Sequence, residues 1–358
     1  MVETFFNKLD DLQYFSLDRQ NEIKKILKNG KNVDELKKYI IQELKKIEGI
    51  KITIDRNNTC VIATIKFKRT GPKIGFFSNL FGSEEEVSIK NAVFLGILRL
   101  ITESKTNFTG ELKFVFQFAL FISTYIPANL KELDEIYSFF LTPYSMPENQ
   151  ILIGAGPVMA SNDHFNITVK GKGGHGSAPD KSIDASLIAA YIIQELQSII
   201  SRNKAPLDKA TFSVTEFKAG EGADNIITDK AYLKGSIKSL SIDERSIFFK
   251  RIDEIIKNVC LSLNASYELN FEEISPVLVN EKQQVDSFIK IIEENLNEIQ
   301  LGKIDSSLNT SQIANLLKEI PGMVFFLKSE NLVNKEKENI LVCLRIFVTV
   351  IVNYLGKK

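Results

Sequence analysis

The stretch "VKGKGGHGSAPDKSID", residues 169–184, decides how the chain is read. A strand-like run, "HFNITVKG", leads into it, and from Ile183 a helical pattern follows with Leu187, Tyr191 and Leu196 in register. Between the two lie Gly171, Gly173, Gly174 and Gly176 around His175, one of only two histidines in 358 residues. Glycines permit positive φ, so the cluster predicts a shaped main-chain turn that carries His175. The stretch lacks the GxxxxGK[ST] order and no helix starts at its last glycine, so it is not a phosphate loop.

Downstream, "KATFSVTEF" and "KAYLKGSIKSL" read as strands. "SIDERSIFFKRIDEIIKNVCLSLN" opens on Ser241 with Glu244 three places on, a capping box that starts a helix. "SYELNFE" closes the set. Strand–helix–strand–strand–helix–strand over residues 161–275 is the split βαβ, ferredoxin-like pattern.

The flanks read differently. Residues 18–48 are helical, with Ile23, Ile26, Leu27, Leu36, Ile40 and Leu44 recurring at three and four. "CVIATIKFK" alternates, "KIGFFSNLF" is a continuous apolar run suited to a buried parallel strand, "VSIKNAVFLGILRLIT" is helical, and "ELKFVFQFALFI" is strand again. From 276 the strand–helix character returns, with helices near 283–298 and 311–319. The fold class expected is α/β with a mainly parallel sheet. One discontinuous domain covers 1–160 and 276–358, and 161–275 is inserted into it.

Lysine plus arginine equals aspartate plus glutamate at 45 each, so no net field favours nucleic acid or an anionic membrane. Cys60, Cys260 and Cys343 are isolated in apolar runs, which fits core residues in a reducing, cytoplasmic setting rather than a disulfide framework or a Cys–His nucleophile. "ILVCLRIFVTVIVNYL" is interrupted by Arg345 and reads as a buried terminal helix or strand–helix, not a membrane span.

"GPVMASNDHFNITVKGKGGHGSAPDKSIDASLIAAYIIQELQSIISRN", "AGEGADNIITDKAYLKGSIKS" and "SPVLVN" resemble the zinc-dependent amidohydrolases. That group holds hippurate hydrolase and N-acyl-amino-acid amidohydrolases, with relatives among aminoacylases and carboxypeptidases. The resemblance implies a two-metal hydrolase domain and an inserted lid that dimerises. It implies that His175 is the lid histidine, which in the family reaches into the partner's active site and stabilises the tetrahedral oxyanion. It also implies that Asn225, in "NIIT", is the substrate-contacting asparagine.

The family's metal motifs are not matched. Placing the flanks in register puts "EEVS" on the first motif, with Glu85 at a Cys and Val87 at a His. "FALF" falls on the second, with Leu120 at the general base and Phe121 at a ligand, and Thr142 stands at the His of the third. The run "SEEEVS", 83–88, then reads as a solvated loop replacing the metal loop. With histidines only at 164 and 175, no zinc or other cofactor is expected.

His164 reads as a surface residue at a strand start. His175 keeps two readings, a working lid histidine or a passenger on a glycine turn, and Asn225 could equally order its loop. The function expected is that of a catalytically degenerate amidohydrolase homologue. It would be a structural or regulatory partner, as a homodimer or a heterodimer with an active paralogue through the lid. The alternatives are a binding module for N-acyl amino acids or peptides, and a residual amide hydrolase of unconventional mechanism.

Overall fold

The computed structural model describes residues 5–28, 33–79, 82–104, 106–119, 126–142, 150–220, 222–328 and 333–356. The helical periodicity of 18–48 resolves into α1 (Leu9–Lys28) and α2 (Val33–Lys45). Strands β1 (Lys51–Ile54) and β2 (Cys60–Lys66) follow as a hairpin. Asp55 shapes its turn by accepting from the main chain of Asn57 and Cys60, and Asn58 takes φ 58. Then come β3 (Arg69–Asn79), α3 (Glu84–Glu103), β4 (Thr109–Gln117), β5 (Glu135–Thr142), β6 (Gln150–Ile153) and β7 (Gly156–Met159).

"SEEEVS" is not a solvated loop. Ser83 caps α3, its Oγ accepting from Glu86 N at 3.1 Å, and the three glutamates form the first helical turn. Carboxylates at a helix start complement the dipole, which is why an acidic run here favours helix over loop.

The inserted segment contains β8 (Asn162–Lys170), the short β9 (Gly174–His175), α4 (Ala185–Leu196), β10 (Ala210–Ala219), β11 (Ile226–Ile227), β12 (Lys230–Ser239), α5 (Ile242–Ser262) and β13 (Ser266–Ser275). The chain ends with β14 (Leu278–Asn280), α6 (Lys282–Asn295), β15 (Gln300–Lys303), α7 (Ile313–Leu317), β16 (Gly322–Lys328) and α8 (Val333–Leu355).

These elements form two units, Met1–Gly156 with Val279–Asp305 and Asn315–Lys358, and Pro157–Leu278 with Ser306–Ala314. Residues 306–314, assigned from sequence to the flanking domain, belong to the second unit. Ser307 N donates to Val158 O at 3.0 Å, and Gln312 Nε2 to Ile274 O at 2.8 Å.

The first unit is built on an eight-stranded sheet in the order β1-β2-β4-β3-β5-β16-β6-β15. Its central strands β4, β3, β5 and β16 run parallel, with antiparallel pairings at β1/β2, β2/β4 and β16/β6. One face is covered by α3, α6 and α8, with α1 packed outside them on α3 and α8. At its centre Phe76 packs on Phe94, Phe114, Tyr137 and Phe347, with ring centroids 5.0–6.1 Å apart. The apolar C-terminal stretch is α8. Its segment Lys337–Leu355 is long and apolar enough to cross a membrane, yet Ile340, Cys343, Leu344, Phe347, Val350 and Ile351 are all fully buried in this core.

The second unit is an antiparallel sheet in the order β10-β12-β8-β13 with α4 and α5 on one face, the split βαβ arrangement. Strict alternation explains it. Phe165, Ile167 and Val169 of β8 and Ala231, Leu233 and Ile237 of β12 turn to the helices, while His164, Tyr232 and Lys234 face solvent. Ser241 caps α5 through Glu244 N, but the Glu244 carboxylate accepts from Ala205 N, so only half of the capping box closes. Asp163, fully buried, is held by both Nε and Nη2 of Arg245, at 2.7 and 2.6 Å, and Arg245 also pairs with Glu273. This clamp fixes α5 on β8 and β13.

Candidate functional site

The glycine-rich stretch bends back on itself through short main-chain pairings. Lys172 and Ile183 exchange hydrogen bonds at 2.9 and 2.8 Å, and Gly176 N donates to Asn225 O at 2.7 Å. β9 pairs with β11, placing His175 opposite Ile226. None of Gly171, Gly173, Gly174 and Gly176 has positive φ, which corrects the reason given for them. They serve close approach: a Cβ on Gly171 would stand 2.1 Å from Ile183 O, and one on Gly174 would stand 2.9 Å from Ser182 Cβ. Beyond the bend Asp184 caps α4 by accepting from Ser186 N and Leu187 N.

This scaffold brings the two expected lid residues together. His175 is exposed, and its Nε2 lies 3.2 Å from the Asn225 carboxamide nitrogen. Its Nδ1 accepts from Ser177 N at 3.2 Å and lies 2.8 Å from Ser177 Oγ. With Nδ1 accepting from that backbone N–H, Nε2 is the ring nitrogen left to donate. The Asn225 amide meets that N–H with its oxygen when turned about its last bond. Turned this way, the pair keeps the Asn225 NH2 group free to donate. A cleft of about 930 Å³ adjoins the stretch, walled by Gly173, Gly174, Phe217, Lys218, Asp224 and Tyr232, but neither His175 nor Asn225 lines it. His164 stands apart on the solvent face of β8, between Ser236 and Glu272.

In the first unit, the positions in register with the metal motifs hold other groups. Val87 is an apolar residue of α3, 1% exposed, and Thr142 is buried at the end of β5. Between Glu85 and Val87 stands Glu86, a residue that sequence reasoning passed over. Its Oε1 accepts from Lys90 Nζ at 2.9 Å and its Oε2 from Leu141 N at 3.1 Å. The Lys90 ammonium lies 3.9 Å from the Phe140 ring centroid and 5.6 Å from that of Phe139. Burial pushes the Lys90 ammonium down from its ordinary pKa, and Glu86 pulls against that. The signal was present as the i,i+4 spacing in "EEEVSIK". Leu120 and Phe121 lie outside the described residues.

A two-zinc centre requires imidazole and carboxylate donors converging from several strand ends. Both histidines of the chain belong to the second unit, Val87 has no donor, and Glu86 is committed to Lys90 and the Leu141 main chain. Among the described residues no three His, Cys, Asp or Glu side chains come together. Among the described residues, the side chains do not supply the donor set of the two-metal group.

Cys60, Cys260 and Cys343 are free and buried. Burial raises all three thiols, that of Cys260 to about 11, so none is a nucleophile at neutral pH.

Residues 162–263 match the family model of the peptidase dimerisation domain. The chain is similar to proteins named as amidohydrolases, deacetylases and carboxypeptidases. It is 30% identical to thermostable carboxypeptidase 2 of Saccharolobus solfataricus over 67% of this chain and 62% of that protein. It is 33% identical to hippurate hydrolase of Campylobacter jejuni over 46% and 43%, and 24% identical to N-acetyldiaminopimelate deacetylase of Exiguobacterium sibiricum over 88% and 91%. The match to the carboxypeptidase thus spans less than two thirds of that relative's length. The Bacillus subtilis YXEP protein, a dinuclear metal binding peptidase from the M20 family, superposes with a TM-score of 0.74 at 20% identity, over 98% of this chain and 100% of that one. A crystal structure from methicillin resistant Staphylococcus aureus gives 0.85 at 18%, over 99% and 100%. The α/β domain with an inserted dimerisation domain is therefore the fold of this group, and the resemblance read from residues 154–240 stands.

Proposed function

We propose that this amidohydrolase homologue does not hydrolyse amides and acts as a structural or regulatory partner through its dimerisation domain, with a second copy of itself or with an active relative. The observation that carries this is the Glu86–Lys90 pair. On the turn in register with the first metal motif, Val87 offers no donor and the neighbouring Glu86 carboxylate is already neutralised by an internal ammonium. A hydrolytic reading has the relatives' names in its favour and no donor set among the described residues.

His175 and Asn225 suit the partner role. Both are exposed and adjacent, with the Asn225 NH2 group free to donate. In a heterodimer they would serve the oxyanion of the active partner's substrate.

The test is metal content after incubation with zinc and manganese and desalting, together with native mass. Fewer than about 0.1 ions per chain, in a dimer, is the expected result, since an all-protein zinc site holds its ion through desalting. One or two retained ions per chain would overturn the reading. So would a monomer at every concentration, alone and with active relatives.

A further inference from the structure

On the sheet face away from α1 and α3, one row of the first unit is polar. Gln117 is in register with Cys60 of β2 on one side and with Asn79 of β3 on the other. Asn79 and Gln117 are the last residues of neighbouring parallel strands, and each is 1% exposed. None of their four side-chain polar atoms, Nδ2, Oδ1, Nε2 and Oε1, has a hydrogen-bond partner. Buried carboxamides are nearly always bonded, so two adjacent ones left wholly unpaired call for a third group. The carboxyl ends of parallel strands are where α/β sheets receive ligands.

We propose that Asn79 and Gln117 form a binding site for a neutral carboxamide or peptide group. The chemistry selects this class. Each side chain offers two N–H donors and a carbonyl acceptor. A carboxylate satisfies only the donors, and an ammonium only the acceptors. Either would also bring a charge that two neutral amides cannot balance. A carboxamide presents both edges at once. Cys60 adds no charge to the row, because burial keeps its thiol protonated. The site goes beyond the partner role proposed above and stands whether or not the dimerisation domain pairs.

The experiment uses the full chain with N-acetylglycinamide as probe, followed through the side-chain NH2 signals of Asn79 and Gln117. These signals are assigned by their loss in Asn79→Leu and Gln117→Leu. Saturable shifts of both NH2 pairs are expected, with binding weakened about tenfold or more in either variant, the factor one lost hydrogen-bonded amide is worth. Without ligand, the double variant Asn79→Leu/Gln117→Leu should melt higher than the parent by about 3 °C, because apolar groups replace polar atoms held unpaired for a ligand. Unshifted NH2 signals at about 100 mM probe, far above the millimolar range of small neutral fragments, would overturn the proposal. A double variant that melts lower would overturn it as well, assigning the amides to the fold through ordered water.

Discussion

Lys90 Nζ stands 2.9 Å from Glu86 Oε1 inside the first unit, with the lysine side chain 1% exposed and a phenyl face closing over it. A buried pair of this kind is costly to break and cheap to replace. Lys90→Met alone strands the Glu86 carboxylate and is expected to cost about 3–5 kcal/mol, while Glu86→Leu with Lys90→Met should stay within about 1–2 kcal/mol of the parent. Urea unfolding of the single and double variants measures both. Equal losses in the two would mean that the pair is not internally compensated.

The Asp163–Arg245 clamp gives a parallel expectation in the second unit. Asp163→Asn keeps the shape but removes the charge that Arg245 grips with two nitrogens, and about 3 kcal/mol should be lost. Glu273→Gln, at the wetter end of the same network, should cost about 1 kcal/mol or less. Circular dichroism through a denaturant series, both variants side by side, tests the ranking.

Gly171→Ala is expected to be the most damaging of the motif's glycine changes. Its Cβ would collide with Ile183 O at 2.1 Å, opening the Lys172–Ile183 pairing that returns the chain to α4, at a cost of about 1–3 kcal/mol. A Cβ on Gly173 meets nothing nearer than 3.2 Å, so Gly173→Ala should be milder. Amide hydrogen exchange at Lys172 and Ile183 reads the difference directly.

Stability should fall on the alkaline side. Each buried thiol has a folded pKa above the ordinary value, so the folded state holds protons that the unfolded state releases. The contribution is complete below about pH 8.5 and is lost as pH rises from there through the folded value, about 11 for Cys260. By pH 10 the loss from Cys260 should approach about 2 kcal/mol. Cys260→Ala should flatten the profile between pH 8 and 10 by that amount, whatever its offset at pH 7.

Mixing separates the two readings of His175. An active relative whose own lid histidine is changed to alanine should regain hydrolysis of an N-acyl amino acid when combined with this chain, but not with its His175→Ala form. The exposed position means that His175→Ala itself should shift stability by less than about 0.5 kcal/mol. Failure of both mixtures alike would leave His175 as a passenger of the glycine turn.

Much of the architecture was open to reading because its causes are local. Alternation in "HFNITVKG" and "KAYLKGSIKSL" and the Ser241 cap follow from neighbouring residues alone, and so does the insertion they define. The acidic run at 83–86 was misread because three glutamates look solvated until the partner one turn on is counted. Lys90 supplies that partner, and burial, which no spacing records, makes it matter. The glycines of the motif were assigned to positive φ, yet for Gly171 and Gly174 the cause is Ile183 and Ser182, 12 and 8 residues further on in the sequence, which a local reading does not see. Asn79 and Gln117 were invisible for a similar reason, since only the sheet order sets β3 beside β4 and leaves both amides without partners.

The first and last strands of the inserted domain, β8 and β13, are antiparallel neighbours, and Asn162 sits opposite Ser275. The polypeptide therefore enters and leaves residues 162–275 at adjacent points, as if that segment were a single long hairpin, and 306–314 joins it separately. A detour with its two ends already tied makes little geometric demand on its host. A segment so terminated can be cut out with its own ends supplying the splice, once the hydrogen bonds that Ser307 and Gln312 make to it are replaced.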